Sequence, residues 1–188
     1  IEHLLTDAQK KVVEDARAFV RDTPRQLILD MDAETVRFPK DWLREAAKRN
    51  LLGVRHPKQW GGRGMDWVTA SAVCEEIGSL SYELACVFGV GADLVCDAII
   101  RHGTDAQRER YVKPLLAGEI FAAECLTEPR GDHFLLNGQK RFIVGAEGAD
   151  YFLVYARTNP DLKAPPQQSI TCFIVDRGQG VEVGVRGV

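Results

Sequence analysis

The chain has 188 residues, 45% hydrophobic and 27% charged, an ordinary globular composition with room for a buried core and one or two domains. A formal net charge of −3 offers no basic footprint for nucleic acid, and no apolar run reaches membrane-spanning length or forms a signal-peptide pattern, so the expectation is a cytoplasmic protein with no nucleic acid and no membrane insertion. Five scattered cysteines without a CxxC, and four histidines without ligand spacing, predict free, mostly buried thiols and no metal.

Thr6-Asp7-Ala8-Gln9 forms a capping box, and Ala8, Val12, Ala16, Phe19 and Val20 behind it recur at helical spacing, predicting a first helix to about Arg21. Pro39 suits the first position of a second helix whose apolar face is Trp42, Leu43, Ala46 and Ala47, with Gly53 after its end. The loop Pro57 to Gly64 contains a GGxG that could cradle phosphate, but no strand precedes it, which favours a plain turn. Asp66 to Ser79 reads as a third helix. Tyr82 to His102 is apolar on most sides, as a central, covered helix would be. Gly103 ends it, and a second capping box, Thr104-Asp105-Ala106-Gln107, starts another helix that Pro114 bends or closes before Gly118.

After Gly118 the apolar period changes from near four to two. Strands are predicted over Phe121 to Thr127, Phe134 to Leu136 and Gln139 to Val144, the last two joined by a hairpin turning on Asn137-Gly138. Tyr151 to Arg157, Ile170 to Val175 and Gly180 to Val185 follow as strands, with a proline-rich loop from Thr158 to Gln168. Helices then strands, each segregated, predict an α + β fold without internal repeats. The expected division is an all-helical N-terminal domain over 1–118 and a small antiparallel, barrel-like β-rich domain over 119–188.

Taken alone, the residues give candidates and no reaction. Glu124, Cys125 and the Thr127-Glu128 strand end could be site groups, since strand ends project into crevices; the residues alone favour the plainer reading, in which Thr127 closes the strand by a local hydrogen bond and Glu128 is solvated. His102 beside a helix-ending glycine suits the negative end of the helix, and His133, Lys140 and Arg141 read as solvated positions. Trp42, Trp60 and Trp67 are explained by packing at helix ends and a loop. No Ser-His-Asp or Cys-His arrangement can be argued from spacing.

Phe121 to Arg157 resembles the flavin-binding segment of the acyl-CoA dehydrogenase family. The match is carried by Leu126-Thr127-Glu128-Pro129, then Leu136-Asn137-Gly138-Gln139-Lys140, Phe142-Ile143, Ala149-Asp150 and Ala156-Arg157-Thr158, with the preceding helices and the Pro57–Gly64 loop in the family order. The resemblance implies a helical N-terminal domain, a β-rich middle domain and a C-terminal helical bundle, with FAD between the last two and an acyl-CoA substrate against the flavin. A carboxylate base would take an α-proton while a β-hydride passes to the flavin, and preorganised donors would stabilise the charge of the reduced ring. By matched position, Thr127 serves the flavin edge with Leu126 beside it. Glu124 and Cys125 lie on the strand under the ring, Phe142 packs against the flavin, and Ile143 and Val144 lie near its N5. Electron-transfer flavoprotein as electron acceptor and a homo- or hetero-tetramer are implied in the same way.

Three departures bear on that reading. Val144 stands where many members carry a threonine, so only a backbone amide could serve that position. Between Pro129 and Asn137 the family has a glycine-serine-aspartate turn and a further strand, whereas Arg130-Gly131 here runs almost directly into Asp132-His133-Phe134; the expectation is that residues are missing near 131–132. The C-terminal bundle, where the family's catalytic glutamate lies, is expected to be absent, so no residue is assigned as the base and neither Glu124 nor Glu128 is promoted to it. The alternatives are an acyl-CoA oxidase or flavin monooxygenase-like relative, and a non-catalytic scaffold subunit of a heteromeric dehydrogenase.

Overall fold

The computed structural model describes residues 2–126, 138–161 and 163–184. α1 (Asp7–Asp22) begins at the expected capping box: Gln9 Oε1 accepts from Thr6 N at 2.8 Å, and Thr6 Oγ1 accepts from Gln9 N. The Gln9 side chain also donates to both carboxylate oxygens of Asp66, which caps α4 (Trp67–Gly78) by accepting from Thr69 N, so one carboxylate ties two helix starts together. Between them lie α2 (Arg25–Asp32) and α3 (Lys40–Lys48). α1 and α3 bury Phe19 against Trp42, rings 5.1 Å apart, and the Trp42 indole donates to Thr23 Oγ1 at 3.0 Å. Each such large apolar side chain contributes on the order of 1.5–3 kcal/mol by leaving water.

The apolar stretch from Tyr82 forms α5 (Tyr82–Gly89), a π-helical segment (Val90–Val95) and α6 (Cys96–His102), with Leu84, Phe88, Val95, Cys96 and Ile99 buried. The second capping box opens α7 (Asp105–Gln107), which passes through a π-helical segment (Arg108–Val112) into α8 (Lys113–Leu116). Pro114 has no N–H to give Arg110 O, and its ring crowds that carbonyl; the widened turn just before it accommodates both. Gly118 leaves at φ +74°.

Three strands follow. β1 (Ala122–Cys125) pairs in parallel with β2 (Tyr151–Arg157), Ala122 opposite Tyr151 and Cys125 opposite Val154. β2 pairs antiparallel with β3 (Ile170–Asp176), Tyr151 opposite Asp176. One face, with Ala122, Tyr151 and Leu153, completes the helical core; the other, with Ala123, Cys125 and Phe152, forms a second cluster with Ala149.

The α + β order is as expected, with corrections in detail. The described sheet is mixed: β1 and β2 run parallel and are joined through a long crossover, not a hairpin. Gln139 to Val144 is not a strand; Phe142 adopts φ +57°, which no extended ladder tolerates. Residues 181–184 are likewise unpaired, although Val181 and Val183 pack on the second cluster, so their alternation reflects burial without a ladder. Pro39 precedes α3 as its cap instead of occupying its first turn. The strand expected over Phe134 to Leu136, and Asn137 of the expected hairpin, lie outside the described residues, as do the junction near 131–132 and Val185.

Candidate functional site

Of the residues singled out from sequence, Glu124, Cys125 and Leu126 lie at the C-terminal end of β1. Glu124 and Cys125 point to opposite faces there, by the period-two alternation of a strand. Glu124 is half-buried, and its Oε1 accepts from Tyr155 OH at 3.1 Å; burial, then the neighbouring Cys172 and Glu124, push the Tyr155 phenol up, so it stays protonated and donates. Cys125 is buried among Ala123, Ala149 and Phe152, with Ile143 against the same cluster. Burial pushes its thiol up to about 11, so it acts as a small packing group and not as a nucleophile.

Leu126, the next residue, is 56% exposed. Its carbonyl accepts from Lys140 Nζ at 3.4 Å, and the same ammonium donates to Tyr155 O at 2.6 Å. Lys140 thus bridges the ends of β1 and β2 and draws the segment that carries Phe142, Ile143 and Val144 toward them. Thr127, with Glu128 and Pro129, lies outside the described residues, as does His133. Phe142 is 92% exposed at a left-handed φ of +57°, a conformation that costs a non-glycine residue on the order of 1–2 kcal/mol. Val144 is partly exposed as well, whereas Ile143 turns inward onto the second cluster. A solvent-facing aromatic held in a strained backbone is a feature folding alone would not select, and it fits a face that meets a ligand.

The turn after Val144 is anchored from three sides. Gly148 packs on Phe38, so closely that a Cβ there would lie 2.0 Å from the ring. Glu147 pairs with Arg37 at 3.6 Å, and Arg177 donates to the carbonyls of Ala146, Glu147 and Ala149. Asp150 then locks β2 to β1: its N–H donates to Phe121 O at 2.7 Å, and its Oδ2 accepts from Phe121 N at 2.8 Å.

On the helical side, an apolar recess lies between β1 and the π-helical segment, lined by Phe38, Leu43, Val87, Phe88, Gly91 and Phe121, with room for about one water. The π-helical segment is held by a polar group that sequence reading missed. There Cys96 N donates to Gly91 O, which leaves Ala92 O without its ordinary helical donor, and His56 Nε2 meets it at 2.6 Å. Arg55 donates to Asp93 O at 2.8 Å and to Asp97 Oδ1 at 2.6 Å, lies 3.3 Å from the Asp93 carboxylate, and stacks on Trp67, its guanidinium 3.7 Å from the ring centre. Burial pushes the His56 imidazole down, so it is neutral and donates from Nε2.

The other candidates fall to structural roles. In the Pro57–Gly64 loop the amides of Gly61, Gly62 and Gly64 donate to Lys58 O, Pro57 O and His56 O, so none of these three glycine amides is left for phosphate. His102 is exposed in the last turn of α6, and Arg141 is exposed beside Gln139. Trp42 is core, and Trp67 serves the Arg55 stack. Among the described residues no group of three or more His, Cys, Asp or Glu is placed to hold a metal, and no helix is long and apolar enough to cross a membrane.

Comparison with known proteins matches residues 6–119 to the N-terminal domain and residues 119–187 to the middle domain of acyl-CoA dehydrogenases. The mitochondrial isovaleryl-CoA dehydrogenase of Pongo abelii is 29% identical over 93% of this chain and 45% of its own. A caffeyl-CoA reductase–Etf complex subunit of Acetobacterium woodii is 30% identical over 95% of this chain and 51% of its own. The butyryl-CoA dehydrogenase structure from Megasphaera elsdenii superposes with a TM-score of 0.79 at 25% identity, over 94% of this chain and 50% of that one. The chain therefore spans about half the length of the relatives it matches. With both domain models falling in succession along the chain, helical part first and sheet second, it belongs to the acyl-CoA dehydrogenase family.

Proposed function

We propose that the protein carrying this chain is an FAD-dependent acyl-CoA dehydrogenase, and that the chain supplies one wall of its flavin site, dividing at 118/119 into a helical and a flavin-binding part. The observation that carries the reading is Phe142: an aromatic side chain 92% exposed at φ +57°, beside a partly exposed Val144 and close in sequence to the Lys140 bridge. Such a face fits a flat apolar ring, and Leu126 and Thr127, which follow β1 in sequence, would supply polar contacts to its edge. Bound FAD would supply the hydride-accepting chemistry for an acyl thioester. The residues here would bind and orient: Phe142 and Val144 would cover a ring face, Thr127 would donate to the edge that becomes negative on reduction, and Ile143 and Cys125, packed in one cluster, would keep the floor beneath dry. Glu124 is held by Tyr155 and is not cast as the base. The relatives support an acyl-CoA substrate, and one of them is named as part of an Etf complex, which supports electron-transfer flavoprotein as redox partner and an oligomeric assembly. Five unpaired thiols support a reducing compartment such as the cytoplasm.

The test is flavin content of the purified protein, followed by anaerobic bleaching across a panel of acyl-CoA thioesters. Bound FAD bleached by at least one thioester is expected; a colourless protein that takes up no added FAD would refute the reading. Thr127→Ala is expected to weaken flavin binding and slow reduction, by about 10-fold for one lost hydrogen bond to a charged group. Unchanged affinity and reduction rate would remove Thr127 from the site.

A further inference from the structure

We propose that Arg177 is a positioning residue for this site: its guanidinium sets the shape of the turn over 144–149 and, through it, the placement of Phe142, Ile143 and Val144. The inference rests on the flavin reading of that segment, and it assigns to a residue outside every motif the task of holding it.

Arg177 directly follows β3 and is itself fixed. Its backbone N–H donates to Asp150 O at 3.0 Å, and the preceding Asp176 is paired with Tyr151 in the sheet and bonded to Gln179 through both N–H and carbonyl. From this anchor Nε donates to Ala149 O at 2.6 Å, while Nη2 donates to Ala146 O and to Glu147 O at 3.1 Å. The guanidinium also lies 5.5 Å from the centre of the Phe152 ring, which belongs to the cluster under Ile143.

Gly148 against Phe38 and the Glu147–Arg37 pair hold the turn from the helical side, but its carbonyls are served by Arg177 and its own backbone bonding is sparse. Its own backbone bonds are Ala146 N to Ile143 O at 3.4 Å, and Gly148 N and Ala149 N both to Gly145 O at 3.1 Å. Two glycines give it backbone freedom, with Gly145 at φ +77°. Carbonyls that converge on one point repel one another and, where water is excluded, need a donor. A planar fork with several donors can serve them together, whereas an ammonium is a point charge on a flexible stem. Removing the fork frees the turn to rearrange, and the segment just before it moves too. Arg177 reaches no reacting atom in this arrangement and acts through the turn alone.

The experiment compares Arg177→Met and Arg177→Lys in the full-length protein, flavin-free and loaded with FAD. Backbone hydrogen exchange over 144–149 is expected to rise by about tenfold or more in Arg177→Met, with α1–α6 unchanged and Arg177→Lys in between. In the loaded protein the flavin's visible absorption band and midpoint potential are expected to shift, and kcat to fall more than KM rises, with partial rescue by lysine. Unchanged exchange over the turn overturns the clamp. Raised exchange with an unaltered flavin spectrum, potential and kcat overturns the positioning role. Should Arg177→Met fail to fold, Arg177→Lys alone decides: wild-type values for exchange and spectrum overturn the proposal. A wild-type protein that takes up no FAD is a failure of the flavin reading itself, told apart because it precedes any substitution.

Discussion

Replacing Arg55 with methionine would remove the cation from beneath the π-helical segment while keeping an apolar stem against Trp67. Arg55 is 7% exposed at its side chain and Asp93 only 20%, so the Asp93 carboxylate would be left buried without its guanidinium. Breaking one partner out of a buried pair costs about 3–5 kcal/mol, a large part of the roughly 5–15 kcal/mol that holds a domain folded. Asp97 would suffer less, because Arg101 remains at 2.7 Å. The sign with pH follows from the two carboxylates. Burial raises Asp93 against the pull of Arg55, so folding favours its protonated form. Its contribution is most favourable below the unfolded carboxylate range and declines as pH rises to its folded value. Asp97 runs the other way: burial pushes it up, but Arg55 and Arg101 hold it down, and its contribution is lost as pH falls through its folded value. Without Arg55, Asp93 rises further and dominates. The Arg55→Met loss, read as a urea midpoint by tryptophan fluorescence, should therefore be larger at neutral pH than in mild acid. Adding Asp93→Asn should recover most of it. A double variant as unstable as the single, or a loss independent of pH, would refute the charge-burial argument.

Phe142→Gly should leave urea stability within about 1 kcal/mol of wild type, since relief of the left-handed strain offsets the entropy of a freer unfolded chain, while flavin affinity falls. A loss above about 2 kcal/mol would mean that Phe142 packs and does not wait for a ligand. Gly148→Ala should cost about 1–3 kcal/mol, because its methyl would meet the Phe38 ring at 2.0 Å. In the Phe38→Ala background the same change should cost almost nothing; an undiminished cost there would show that the strain lies elsewhere.

Capping boxes at Thr6 and Thr104, and the apolar character of Tyr82 to His102, were legible because each is a local signal whose chemistry lies within a few residues. α2 was not: Pro24 precedes it without a side-chain cap, and none of its residues is buried, so no periodic face announces it. The π-helical segments were equally hidden, because one shifted hydrogen bond leaves apolar composition untouched. Gln139 to Val144 has strand-like propensity, but the Lys140 bridge and the positive φ of Phe142 override it. At the site, the motif residues were readable and their supports were not. Arg177 reaches carbonyls about thirty residues earlier in the chain, and Arg55 and His56 serve a helix nearly forty residues later. Such side chains look like ordinary surface charges until the chain is folded.

The parallel pairing of β1 and β2 carries a consequence for how this family can vary. Parallel neighbours cannot be closed by a tight turn, so the chain between Cys125 and Tyr151 must travel out and return, and that journey is the stretch bearing Thr127 and Phe142. Its two ends are pinned by Ala122 opposite Tyr151 and by the Asp150–Phe121 bonds, independently of what lies between. Loop-closure entropy grows only logarithmically with length. Residues can thus be gained or lost between Pro129 and Asn137 without shifting the register of the three described strands. The length of the connecting chain and the pairing of the sheet are free to change at different rates.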